Sequence, residues 1–215
     1  LIAKLESGRH GFGFSSGMAA TTSLFTIFEK GDHFVFGLDI YGGTFRIMKD
    51  VFAKFGLEAT YVDTTNLDNI RKAIRPNTKG IFIETPSNPL LDVTDIRGTV
   101  AIAKEHGLTI VDNTFLSPYL QRPLELGADI VVHSATKYLS GHNDIIAGAI
   151  VVNDDVLAEK ISFAQVAIGA LISPFDSWLL IRSIKTLKVR MDYAQSNALK
   201  LIEFLQGHPA VEKPR

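Results

Sequence analysis

The 215 residues carry 46% apolar side chains, enough for one large domain with a continuous buried core. Lysine and arginine total 22 against 23 acids, so no charge excess draws the chain to nucleic acid or to an anionic membrane, and no stretch approaches the roughly 20 apolar residues of a spanning helix. Cysteine is absent, which excludes a disulfide framework, a thiolate metal site and a cysteine nucleophile within this sequence, and fits a cytoplasmic location.

The opening, Leu1-Ile2-Ala3-Lys4-Leu5-Glu6, reads as the middle of a helix, with neither an initiator Met nor the layout of a secretory signal. The close stops just after another helical pattern, so the chain reads as truncated at both ends. Between them, helical segments at 18–29, 45–55, 67–74, 96–106 and 155–167 alternate with short β-branched runs at 34–38, 59–62, 80–84, 108–111, 130–133 and 147–152. Asp95 is placed to cap a helix, and Gly31, Gly56 and Gly107 fall where helices would end. This alternation predicts an α/β fold of three layers around a mostly parallel sheet. From Pro174 the pattern changes, because 177–205 is an almost unbroken helical run with no later strand. Residues 1–172 therefore read as one domain and 173–215 as a helical segment leading out of it.

In such sheets ligands bind beyond the carboxyl ends of the strands, and three chemically loaded segments sit there. Phe14-Ser15-Ser16-Gly17-Met18 is a small-residue turn feeding an apolar helix: free N–H groups at the helix start make an anion site, although a simple serine cap explains the same residues. It is not a Walker loop, and Gly11-Phe12-Gly13 lacks the third glycine of a dinucleotide fingerprint, which disfavours a nicotinamide dehydrogenase. Ile110-Val111-Asp112 ends an apolar strand in a carboxylate that needs a partner, either a neighbouring loop or a protonated ring nitrogen. Ser134-Ala135-Thr136-Lys137 follows the run Ile130-Val131-Val132, so the Lys137 ammonium would be desolvated, as an imine-forming amine requires, with two hydroxyls nearby to hold a phosphate. The bland alternative is a loop lysine in water.

One cofactor, pyridoxal 5'-phosphate, explains all three: a phosphate cradle, an acid for a pyridine nitrogen, and an imine lysine. Tyr41, in Asp39-Ile40-Tyr41-Gly42-Gly43, adds an aromatic that could stack on a planar ring. Asn88, between Pro86 and Pro89, adds an amide for the cofactor's phenolic oxygen, though both segments are also ordinary turn chemistry. His133 and His142 flank the lysine loop without metal-ligand spacing, and are read as locally hydrogen-bonded; no metal site is expected.

These segments, in this order, resemble the Cys/Met-metabolism family of pyridoxal-phosphate enzymes, which includes cystathionine β- and γ-lyases, cystathionine γ-synthase and methionine γ-lyase. The matching stretches are Ser16-Gly17-Met18-Ala19-Ala20, Tyr41-Gly42-Gly43-Thr44, Glu84-Thr85-Pro86-Ser87-Asn88-Pro89, Val111-Asp112-Asn113-Thr114-Phe115, Ser134-Ala135-Thr136-Lys137-Tyr138, Gly141-His142 and Lys185-Thr186-Leu187; Arg182-Ser183 departs from the usual Arg-Gly. The resemblance implies the aspartate-aminotransferase-like (fold type I) architecture, with 1–172 as the cofactor-binding large domain and 173–215 leading toward a C-terminal domain. It implies Lys137 as Schiff-base lysine and base, with Tyr41 stacking on the ring and assisting exchange of the amine. It further implies Asp112 on the ring nitrogen, the phosphate on Gly17, Met18, Ser134 and Thr136, and Asn88 and Thr114 among the cofactor contacts. The implied activity is carbon–sulfur cleavage of cystathionine or a similar amino acid, with cystathionine γ-synthase or an inactive binding module as alternatives. The implied assembly is a homotetramer, a dimer of dimers, in methionine and cysteine metabolism, with no nucleic-acid or membrane partner. The family's upstream segment that reaches a neighbouring subunit's phosphate, and its downstream substrate-carboxylate arginine, have no counterpart in this sequence.

Overall fold

Along each central strand, alternate side chains enter two different cores, and this decides the architecture. In a computed structural model, which describes residues 1–212, Phe34, Phe36, Phe82, Ile110, Ile130, Val132, Ile150 and Val152 join one buried cluster while Val35, Ile81, Ile83 and Val111 join another. Both faces of one sheet are thus apolar, and both must be covered.

In chain order the elements are α1 (Ile2–Leu5), β1 (His10–Phe14), α2 (Gly17–Phe25), β2 (His33–Gly37), α3 (Gly42–Asp50), β3 (Glu58–Val62), α4 (Leu67–Ala73), β4 (Thr78–Glu84), α5 (Ile96–Ala103), β5 (Leu108–Asp112), α6 (Ser117–Leu120), β6 (Ile130–His133), β7 (Gly148–Val152), α7 (Asp155–Ile168), α8 (Pro174–Ile184) and α9 (Leu187–Gln206). The seven strands form one sheet in the order β1-β7-β6-β5-β4-β2-β3. Strands β3, β2, β4, β5 and β6 run parallel, and β7 is antiparallel to both of its neighbours. Helices α2, α3 and α7 cover one face and α4 and α5 the other, giving the three layers expected.

Phe25 of α2 anchors the first core, with its ring against Phe28, Phe34, Phe36, Phe52 and Phe82. Each fully buried large apolar side chain contributes about 1.5–3 kcal/mol from area alone, so this cluster fixes α2 on β2 and β4. The position of α2 matters because its first turn faces the strand ends.

Three points differ from the expectation: an added strand, a divided helix at 45–55 and a divided run at 177–205. The strand β1 was not anticipated, because Gly11 and Gly13 have low strand propensity; it persists by pairing with β7 across His10↔Val152 to Phe14↔Gly148. The segment 147–152 is the one strand that breaks the parallel run. Helix 45–55 divides into α3 and a 3-10 turn, Phe52–Phe55, which ends at Gly56 with φ 90°. The run 177–205 is two helices: at the break Ser183 O accepts the Thr186 N–H at 3.1 Å, the Thr186 hydroxyl at 3.0 Å and Arg190 Nη2 at 3.1 Å. No Gly or Pro marks that site.

The second helical segment is not detached from the sheet domain. Leu187 and Met191 pack with Ala135, Leu139, Ile145 and Ala147, and Arg190 Nη1 donates to Tyr138 O at 2.6 Å. Helices α8 and α9 therefore brace the loop that follows β6. Residues 213–215, the end of the segment assigned to 173–215, lie outside the described residues.

Candidate active site

A cavity of about 680 Å³ opens at the carboxyl ends of β4, β5 and β6. Gly17, Met18, Tyr41, Asn88, Asp112, Thr114, Ser134, Thr136 and Lys137 all line it, so the structure brings together every site residue expected from the sequence. The parallel register places the ends side by side: Glu84 of β4 is level with Asp112 of β5, and Asp112 with Val132 of β6.

The wall nearest α2 is an anion cradle. Ser16 caps the helix, its Oγ accepting the Ala19 N–H at 2.9 Å, while the first-turn N–H groups of Gly17 and Met18 have no acceptor among the described residues. Gly17 is required by proximity, since a Cβ there would lie 2.8 Å from Ser134 Cβ and 2.9 Å from its Cα. That close approach sets the Ser134 hydroxyl beside the free N–H groups. Ser134 Oγ has no hydrogen bond among the described residues. Thr136 differs: its hydroxyl donates to Ala147 O at 3.1 Å and accepts Ala147 N–H at 3.0 Å, which ties the lysine loop to β7.

At the base, Asp112 Oδ1 accepts both the N–H and the hydroxyl of Thr114, at 3.0 and 2.5 Å. Burial pushes the Asp112 carboxyl above its usual range, while the Thr114 bonds and the nearby His133 pull the other way. Lys137 follows on a turn closed by Lys137 N–H to Ser134 O at 3.1 Å, and its side chain is exposed. The expectation of a desolvated ammonium is corrected here, because Lys137 is exposed while lining the cavity.

On the opposite wall, Tyr41 precedes α3 and its backbone N–H donates to Glu84 Oε2 at 2.8 Å. Its ring folds back over Gly43, where a Cβ would meet Tyr41 Cε1 at 2.3 Å and Met18 Sδ at 2.7 Å. Asn88 is exposed on the loop after β4, which is held by Ser87 Oγ donating to Asp39 Oδ2 at 2.5 Å.

Glu84 lines the same cavity and is the residue there that the sequence did not single out. It is 8% exposed, and burial together with the charge of Asp112 pushes its carboxyl up to about 8. A signal was present, since Glu84 ends the run Ile81-Phe82-Ile83 just as Asp112 ends its own. His142 Nδ1 meets Ser140 O at 2.6 Å, in agreement with the local role read for it. Among the described residues no cluster of metal-ligating side chains occurs, and no helix is long and apolar enough to cross a membrane.

The donor set matches a phosphorylated, planar, nitrogen-containing aldehyde: two unpaired helix N–H groups and a free hydroxyl at one end, a carboxylate at the base, and a primary amine between them. The model of the Cys/Met metabolism PLP-dependent enzyme family matches residues 1–215. The chain belongs to this family. It is 53% identical over 213 residues to cystathionine γ-lyase of Bacillus subtilis (strain 168), covering 99% of this chain and 56% of the relative. It is 50% identical over 213 residues to cystathionine γ-synthase of Haemophilus influenzae, covering 98% and 58%. The solved structure of cystathionine γ-lyase from Lactobacillus plantarum complexed with L-serine superposes with a TM-score of 0.97 at 50% identity, over 99% of this chain and 56% of that one. The chain thus spans a little over half the length of these relatives, and its sheet is that of pyridoxal-phosphate-dependent family members.

Proposed function

We propose that this chain is the cofactor-binding part of a pyridoxal-phosphate-dependent carbon–sulfur lyase that cleaves cystathionine or a related thioether amino acid by α-proton removal and β- or γ-elimination. The observation that carries the reading is the convergence of Lys137, Asp112, Tyr41 and the Gly17–Ser134 cradle on one cavity. When bound, the cofactor supplies an electron sink for the charge that develops at the substrate α-carbon.

The chain's own residues supply the rest. The Gly17 and Met18 N–H groups and the Ser134 hydroxyl bind the phosphate, and Thr136 fixes the turn beside them. Asp112, oriented by Thr114, holds a proton on the ring nitrogen. Tyr41 stacks on the ring and moves a proton at its hydroxyl during exchange of the bound amine, while Asn88 bonds the phenolic oxygen or the substrate carboxylate. Lys137 anchors the cofactor and, once its amine is free, takes the α-proton at Nζ.

Near-equal similarity to a lyase and to a synthase supports γ-replacement as the second reading. Retention of Lys137, Asp112 and Tyr41 weighs against an inactive module. Exposed Phe163, Phe175 and Trp178, on α7 and α8, support coverage by further chain or by other subunits of a dimer of dimers. The division at residue 172, the cytoplasmic location and the place in methionine and cysteine metabolism belong to the same proposal. Incubation with cystathionine tests it: release of a thiol with ammonia and a keto acid supports the lyase, whereas turnover only with cysteine and an activated homoserine replaces it by the synthase.

A further inference from the structure

Two cavity-lining side chains, Tyr41 and Asn88, stand where apolar packing does little to hold them. Tyr41 is 47% exposed, and Asn88, Leu90 and Leu91 are exposed on the facing loop. What joins the two loops is a reciprocal pair of acids. Strands β2 and β4 are parallel neighbours, so the loops that leave them emerge at the same end of the sheet. Glu84, the last residue of β4, reaches across to the loop after β2, where its Oε2 accepts the Tyr41 N–H at 2.8 Å. Asp39 reaches back from that loop: a single oxygen, Oδ2, accepts the Ser87 hydroxyl at 2.5 Å and the Leu90 N–H at 3.2 Å. Ser87 immediately precedes Asn88 and is buried, and its Oγ also accepts the Asp92 N–H at 3.0 Å, closing the Asn88 loop on itself.

The Glu84 bond falls at a point of leverage. Tyr41 is the N-cap of α3 and has no side-chain cap bond, while its carbonyl accepts the Thr44 and Phe45 N–H groups at 2.9 and 3.2 Å. In a capping box the N-cap N–H is held by a glutamate of the same helix; here an acid from another strand holds it, which fixes the peptide from which the Tyr41 side chain departs. A buried carboxyl is a costly tie for two surface loops unless their relative placement matters. We propose that Glu84 and Asp39 are positioning residues that clasp the two loops into one unit and so set the Tyr41 ring and the Asn88 amide against the cofactor site. They act through Tyr41 and Asn88, and the inference rests on the pyridoxal-phosphate reading. The clasp needs only acceptor oxygens, which a carboxyl offers with or without its proton.

The test uses the whole chain labelled with 3-fluorotyrosine, with the Tyr41 ¹⁹F line among those of the five tyrosines identified by its loss in Tyr41→Phe. Glu84→Ala and Asp39→Ala are each expected to shift and broaden that line in the cofactor-free protein and to reduce the visible circular dichroism of bound pyridoxal phosphate. Cofactor affinity should weaken about tenfold, the scale of one or two hydrogen bonds. Glu84→Gln and Asp39→Asn each keep one carbonyl oxygen, which is all the clasp uses, and are expected to restore both signals. Folded alanine variants with an unchanged Tyr41 line and unchanged dichroism would overturn the proposal, as would amide variants that restore neither. Should the alanine variants fail to fold, hydrogen exchange in the unaltered protein decides: a Tyr41 N–H protected relative to a free peptide supports the clasp, and exchange at the free-peptide rate overturns it. If the unaltered protein takes up no cofactor at Lys137, this inference and the functional reading both fall; if it does and the alanine variants leave Tyr41 unmoved, only the inference falls.

Discussion

Thr114 Oγ1 donates to Asp112 Oδ1 at 2.5 Å and accepts the Ser134 N–H at 2.8 Å, so one hydroxyl joins the acid at the end of β5 to the loop that carries Lys137. Removing it would free Asp112 to rotate and loosen the start of the lysine turn at once. A hydrogen bond to a charged group contributes about 1.5–3 kcal/mol, so Thr114→Val is expected to weaken cofactor affinity by roughly tenfold to a hundredfold. Thr114→Ser keeps the hydroxyl and should stay within a few-fold of the unaltered protein. A fluorescence titration with pyridoxal phosphate checks both.

Gly43 is where Tyr41 finds room. An alanine methyl would overlap Tyr41 Cε1 and press on Met18 Sδ, so Gly43→Ala must turn the Tyr41 ring out of the cavity. Within α3 the same change favours the helix by roughly 0.5–1 kcal/mol. Stability should hold or rise slightly while turnover of cystathionine falls about a hundredfold, the scale of an ångström-sized displacement of a positioned group. Melting temperature and steady-state rate, measured on the same preparation, separate the two effects.

The Glu84 carboxyl gives a pH signature. Its folded value is raised to about 8, above the ordinary 4.5, so the folded chain holds a proton that the unfolded chain has released. Stability from this group is complete below about 4.5 and is lost as pH rises toward 8, with a slope set by the extra proton bound when folded. Denaturant unfolding of the cofactor-free protein should therefore show stability falling between pH 5 and pH 8. In Glu84→Gln, which keeps an acceptor for the Tyr41 N–H and cannot ionise, the fall should be shallower by a few kcal/mol across that window. Equal slopes in the two proteins would show that Glu84 is ionised throughout.

Much of this was legible in the sequence because periodicity reports burial. The parallel strands read correctly, since Ile130-Val131-Val132 and Ile81-Phe82-Ile83 are buried on both faces and must be apolar throughout. Asp112, Ser134 and Lys137 stood out by ending such runs in polar groups. What stayed hidden depends on pairing across long sequence distance. Strand β1 exists by pairing with β7, and the break between α8 and α9 is held by Thr186 and Arg190 together on the Ser183 carbonyl. Exposure of Lys137 belongs to the loop beyond β6, not to the apolar run before it. A buried Glu6–His133 pair joins residues 127 positions apart, and no local pattern announces it.

The most direct test of the whole account is the link between Lys137 and the cofactor. The protein incubated with pyridoxal phosphate should be yellow at neutral pH, lose that band on borohydride reduction, and yield on mass mapping a reduced pyridoxyl-phosphate adduct on the peptide containing Lys137; Lys137→Ala should carry none. A protein that stays colourless with excess pyridoxal phosphate, or one whose adduct lies on another lysine, would contradict the assignment of this cavity as the active site.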